Sequence, residues 1–232
     1  VSADVRPPSF LRDAWRIARK DLLIEFRTRS GFLSTATFAL IALAIFRFSW
    51  DPTAVNTVDL APGVLWVLFS FAGLLGLNRS FSVEHADRAM DALLASPVSR
   101  EAIFAGKALG NLLFLLAVQL LAIPTLGLFF GMPLGTAWLG VAAVAVLAAV
   151  GFVAVGTLFA AVASNTRLAE MLLPMLSLPF FMPVVIPAAQ ATAYLLADQP
   201  LADAVPALKI LAGFDIVFLT ACTLVFPYTL ED

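Results

Sequence analysis

Few side chains in this 232-residue chain can do chemistry, and their spacing argues against catalysis. There is one histidine, His85, and one cysteine, Cys222. A lone histidine excludes a multi-histidine metal site within the chain, and a lone cysteine excludes an internal disulfide. The one Gly-Lys pair, Gly106–Lys107, does not belong to a phosphate-cradling loop, because Glu101 stands where that motif needs its first glycine. Nucleotide hydrolysis by that route is excluded. No Ser/His/Asp, zincin or paired-cysteine arrangement occurs. His85 sits among charges and reads as a surface histidine, while Met132 and Met182 read as packing residues. The chain is expected to be non-catalytic, with no metal and no directly bound cofactor.

Polar residues within long apolar stretches carry more information, since lipid makes them costly unless they are partnered. Asp215 lies about two turns into the last apolar stretch. Lys209, six residues earlier, points elsewhere on the helix, so Asp215 is expected to meet Arg47 or an interhelical hydroxyl. Asn111 and Gln119 read as interhelical hydrogen-bonding groups. Asn78 and Arg79 end the second stretch, where their side chains can snorkel to the interface.

The elements that position these residues follow from composition. The chain is 61% apolar and 13% charged, against roughly 45–50% and about 25% in soluble domains. Six stretches approach the roughly 20 residues that a bilayer core requires: 31–48, 62–77 (79 with the snorkelling pair), 108–131, 137–163, 168–197 and 207–228. The fifth contains Pro174, Pro179, Pro183 and Pro187, and reads as a kinked helix with a re-entrant or interfacial end over 187–197. With the amino terminus inside, twelve of the fourteen Arg and Lys residues face one compartment and only Arg47 and Lys209 the other. That bias is expected to place both termini on the cytoplasmic side of the membrane. The expected fold is an all-α, single transmembrane domain spanning 1–232.

Two amphipathic segments belong to the cytoplasmic side. In residues 9–29, Leu11, Trp15, Ala18, Leu22 and Phe26 share a face, with Arg12, Arg16, Arg19, Lys20 and Arg27 around the rest. This suits a helix in the headgroup plane drawn to anionic lipid, and a dock for a partner subunit is compatible with it. In residues 82–96, Val83, Ala86, Met90, Leu93 and Leu94 oppose Glu84, His85, Asp87, Arg88 and Asp91. Pro97 then breaks the helix and Ser99 can cap the next. Such an element could pass a push into the bundle; a solvated loop helix without a partner is the plainer reading.

Three stretches resemble a known family. PGVLWVLFSFAGLLGLNRSF (62–81) and the proline-punctuated MLLPMLSLPFFMPVVIPAAQAT (171–192) resemble segments of the cytochrome c maturation protein CcmB family. MDALLASPVSREAIFAGKALGN (90–111) resembles both that family and the wider ABC-2 type permeases. The GVLW block is fairly specific; SPVSR marks only the superfamily. Asn78 departs from the family's Asp, which leaves that acidic role unfilled or carried by Glu84 or Asp87. The resemblance implies a non-catalytic permease subunit working with a CcmA-like ATPase, CcmC-like and CcmD-like membrane proteins and a CcmE-like haem chaperone. ATP would bind the partner subunit and haem would be handled by the complex, with no nucleic acid involved. Glu84, His85, Asp87, Arg88, Met90, Asp91 and Leu94 would then meet the ATPase. A generic exporter of lipid, polysaccharide or drug, and a non-transporting membrane scaffold, are the alternatives.

Overall fold

The computed structural model describes residues 9–51, 53, 55–86, 98–133, 135–164 and 169–230, with side chains for all except 80–86, 164, 169–170 and 230. Among these residues the secondary structure is helical throughout: α1 (Phe10–Thr28), α2 (Ser30–Phe48), α3 (Thr57–Ala86), α4 (Arg100–Phe129), α5 (Ala137–Ser164), α6 (Ala169–Leu196) and α7 (Leu201–Val225). A 3-10 turn, Phe226–Leu230, continues α7. Helices α2 to α7 are each long and apolar enough to cross a membrane. The chain is an all-α, multi-pass membrane protein.

Element boundaries differ from expectation in four places, each for a local reason. Helix α3 starts at Thr57, before Pro62, because the Asn56 carboxamide accepts from the Val58 N–H at 3.1 Å and starts the first turn. It then runs on through Arg79 to Ala86, so no break separates the second span from residues 82–86. Helix α6 continues unbroken to Leu196 and does not turn back at Pro187. Beyond that proline, Ala188, Ala191 and Thr192 are fully buried, and the Thr192 hydroxyl accepts from Trp66 Nε1 at 3.0 Å. Packing on α3 thus holds the end that four prolines would otherwise loosen. Helix α7 begins six residues early, at Leu201, with Asp203 in its first turn, where a carboxylate suits the helix dipole. Asp215 therefore sits at the middle of its span, deeper than two turns.

Helix α5 is the hub, packing against α3, α4, α6 and α7. Its small residues let neighbours approach closely: Ala145, Ala148, Ala149 and Ala154 are all buried. Phe152 rises from its centre into an aromatic column. Its ring stacks on Phe181 at 3.6 Å and meets Phe69 edge-on at 4.9 Å, and Phe69 in turn lies 4.9 Å from Trp66. Gly73 makes the room, since a Cβ there would strike the Phe152 ring. Two buried polar links join α4 to α5: Asn111 Nδ2 donates to Thr157 Oγ1 at 3.1 Å, and Gln119 Nε2 to the Ala145 carbonyl at 3.4 Å. The interior beside Gln119 holds a cavity of only about 20 Å³, lined by Trp66, Phe69 and Ala145 among others. That is room for about one water.

Candidate functional site

The polar chemistry collects at the end of the bundle where α1 lies. Helix α1 packs along the first turns of α4, but not through its large apolar stripe. Its buried face is Asp13, Ala14, Ile17 and Ala18, whereas Leu11 is 79% exposed, Trp15 52% and Phe26 73%. The reason is steric. Gly106 of α4 brings the two backbones together so tightly that a Cβ there would lie 2.7 Å from both the Ala14 carbonyl oxygen and the Ile17 Cβ. The large stripe is left facing outward with Arg12, Arg16 and Arg19, all exposed; Arg16 also sits 3.4 Å from Asp13.

One turn further along, this close packing buries a charge. Lys107 is 1% exposed, and its Nζ lies 2.9 Å from Asp21 Oδ2, an ion pair whose angles fall outside a hydrogen bond. Asp21 Oδ1 also lies 3.2 Å from Lys20 Nζ. At the α1–α2 junction, Arg29 adopts the left-handed conformation (φ 53°), turning the chain sharply. Glu25 ties that corner down: its Oε1 accepts from the Phe32 N–H at 2.6 Å and its Oε2 lies 3.5 Å from Arg79 Nε. Arg79 also donates to the Ser30 hydroxyl. It therefore clamps the corner and fills the space beside Gly31, where a Cβ would lie 2.5 Å from its Nε. Between the two ion pairs is a cavity of about 110 Å³ lined by Asp21, Glu25, Arg79 and Asn111 with apolar neighbours, enough for more than one water.

The start of α4 is fastened separately. The Ser99 hydroxyl accepts from the Ala102 N–H at 3.3 Å and caps the helix. Arg100 Nη1 donates to the Pro227 carbonyl at 3.0 Å, and the Phe104 and Phe226 rings lie 5.2 Å apart.

The remaining predicted residues are distributed as follows. Glu84 and His85 form part of the last turn of α3; Asp87, Arg88, Met90, Asp91 and Leu94 lie outside the described residues. Asn78 is half-buried one residue before the clamp. Asp215 is buried, but it meets neither Arg47 nor a hydroxyl. It packs against Gly151 of α5, whose backbone amide faces it outside hydrogen-bond geometry, and neither carboxylate oxygen has a hydrogen-bond partner among the described residues. At the opposite end, the Asp51 carboxylate accepts from the Thr53 N–H at 2.9 Å and its hydroxyl at 2.7 Å, bonds that hold its pKa below the ordinary 3.8.

Sequence reasoning missed the Lys107–Asp21 and Glu25–Arg79 pairs. A signal existed for the first: a lysine flanked by Gly106 and Gly110 at the head of an apolar stretch marks a place where another helix comes close. The second depends on the sharp corner at Arg29, which no motif announces.

The family model described as CcmB protein matches residues 12–232. Among characterised relatives, the chain is 31% identical to heme exporter protein B of Paracoccus denitrificans over 172 residues, covering 74% of this chain and 78% of that protein. It is 29% identical to heme exporter protein B of Rhodobacter capsulatus over 167 residues, 72% and 76% of the two chains. With the protein of the same name from Escherichia coli K12 it shares 29% identity over 97 residues, 42% and 44% of the two chains. A single match that takes in α1, all six spans and the terminal turn places this chain in the CcmB protein family.

Proposed function

We propose that this chain is the membrane permease subunit of an ATP-driven complex for c-type cytochrome biogenesis. It couples hydrolysis by a CcmA-like ATPase to haem delivery or to release of a haem-loaded CcmE-like chaperone, alongside CcmC-like and CcmD-like proteins. The relatives' name, heme exporter protein B, supports haem as the cargo of the complex. The chain itself binds no cofactor and performs no chemistry in this reading. It lies in the bacterial inner membrane with the α1 end and both termini in the cytoplasm, because the Arg and Lys residues concentrate there.

The observation that carries the reading is the mounting of the α3–α4 connection. It joins two 30-residue helices, each about 45 Å long at 1.5 Å per residue and continuous into the packed core. Glu84, His85, Asp87, Arg88, Met90, Asp91 and Leu94, at the head of this connection, would take the push from the ATPase. The tight interior beside Phe152 supports a mechanical role over a pore through one protomer. Arg12, Trp15, Arg16, Arg19 and Phe26 hold α1 in the headgroup layer.

Reversing the charges of Glu84, Asp87 and Asp91 together tests this. The variant should insert normally yet lose ATPase co-purification and c-type cytochrome formation. Undiminished co-purification removes the coupling assignment.

A further inference from the structure

We infer that the carboxy-terminal turn is a transmission element, in which Arg100 and Phe104 at the head of α4 grip Phe226 and Pro227 so that α7 moves together with α4. The inference rests on the coupling role proposed above and extends it to a part of the chain that no motif marked.

Helices α4 and α7 scarcely touch along their spans. An apolar groove of about 330 Å³ separates them over α5, lined by Ala108, Leu112, Val153 and Leu219 among others. They are joined at their inner ends, where the 3-10 turn folds under α4. Phe226 is fully buried, and its backbone N–H still bonds to the Cys222 carbonyl, so the turn and α7 form one continuous piece. Pro227 stops the helix from continuing, and the Thr229 hydroxyl donates to the Phe226 carbonyl at 2.8 Å, closing the turn. The Arg100 guanidinium donates to the Pro227 carbonyl at 3.0 Å, and Phe104, 1% exposed, lies against Phe226 with the rings inclined at 48°.

Among the described residues, a polar contact and an aromatic contact therefore connect the head of α4 to the last span. A charge-assisted hydrogen bond fixes direction as well as distance, which apolar packing in the groove does not. Helix α7 needs such a guide. Only 28% of its span is buried, the same as α2, against 61% for α5. It is also the helix that carries Asp215, whose carboxylate has no hydrogen-bond partner among the described residues, against Gly151. Arg100 is thus a positioning residue: it touches no cargo, and acts by keeping α7 in register with the helix that receives the push.

The test uses the full chain co-expressed with its ATPase and chaperone partners, comparing Arg100→Ala, Arg100→Lys and Phe226→Ala at equal membrane levels. Both alanine variants should keep ATPase co-purification and ATP hydrolysis near the wild-type level. Holo-cytochrome c formation should fall about tenfold, the size expected for losing one charge-assisted hydrogen bond, and Arg100→Lys should recover most of it. Unchanged output in both alanine variants overturns the inference, and so does output that falls in step with ATPase association. Should the alanine variants insert poorly, Phe104→Cys and Phe226→Cys in a Cys222→Ala background can be joined by a short thiol cross-linker. A grip that stays closed through the cycle retains output when cross-linked; loss of output, reversed by releasing the linker, refutes it. The two readings fail separately. ATPase retained by the triple charge reversal sinks the coupling role, whereas intact output from both alanine variants sinks only the grip.

Discussion

Replacing Asp21 with alanine should loosen α1 far more than replacing Lys107 with methionine, although both changes break the same ion pair. The asymmetry comes from burial. Lys107 is 1% exposed, whereas the Asp21 side chain is 18% exposed and has Lys20 at 3.2 Å as a second cation. Removing one partner of a buried pair costs about 3–5 kcal/mol, mostly because the other charge stays buried without that counter-charge beside it. Room for water in the adjoining 110 Å³ cavity argues for the lower end, so Asp21→Ala should cost about 3 kcal/mol. Lys107→Met keeps the aliphatic stem and leaves Asp21 beside Lys20 near solvent, a loss of about 1 kcal/mol or less. Asp21→Ala placed on the Lys107→Met background should then cost little more. Hydrogen exchange of α1 amides in lipid nanodiscs reads the local opening directly. About 3 kcal/mol corresponds to somewhat more than a hundredfold faster exchange in Asp21→Ala, and the double variant should return most of the way to wild type. If Asp21→Ala and the double variant exchange equally fast, the burial of the Lys107 charge is not the source of the cost and the reasoning fails.

Gly106→Ala should separate α1 from α4, because the new methyl would sit 2.7 Å from the Ala14 carbonyl oxygen. Overpacking of this kind costs about 1–3 kcal/mol, visible as protease cleavage within α1; protection equal to wild type would contradict the close approach. Thr192→Val removes the acceptor of the buried Trp66 indole N–H, a cost of about 1–3 kcal/mol that should lower the melting midpoint in detergent and shift tryptophan emission. An unchanged midpoint would show the bond to be unimportant. Asp215→Asn should raise that midpoint, since an unpartnered buried carboxylate gives up a desolvation cost, while Gly151→Ala should lower it by collision with Asp215 and Phe214. A fall in Asp215→Asn would mean that the carboxylate has a stabilising partner after all.

Composition alone determined that lipid surrounds this chain, because 13% charged residues cannot cover a soluble surface of this size. The six spans and the crowding of Arg and Lys at one end were legible for the same reason: the cost of placing charge in hydrocarbon is written locally, residue by residue. The resemblance of 62–81, 90–111 and 171–192 to one family was legible too, and the match over 12–232 agrees with it. What the sequence could not set was which faces meet. The stripe Leu11, Trp15 and Phe26 marked a face for the headgroup layer, but nothing local showed that Ala14 and Ile17 would instead be the residues that pack on Gly106. Four prolines looked like a kinked helix with a re-entrant or interfacial end, yet α6 is continuous to Leu196, where the Trp66–Thr192 bond and the packing of Ala188 and Ala191 hold it. Residues 21 and 107, 25 and 79, and 100 and 227 are far apart along the chain, and nothing local identifies one as the partner of the other. Their pairing arises only when the helices settle at the distances that glycines and alanines allow, so the clamps at the α1 end belong to the tertiary structure.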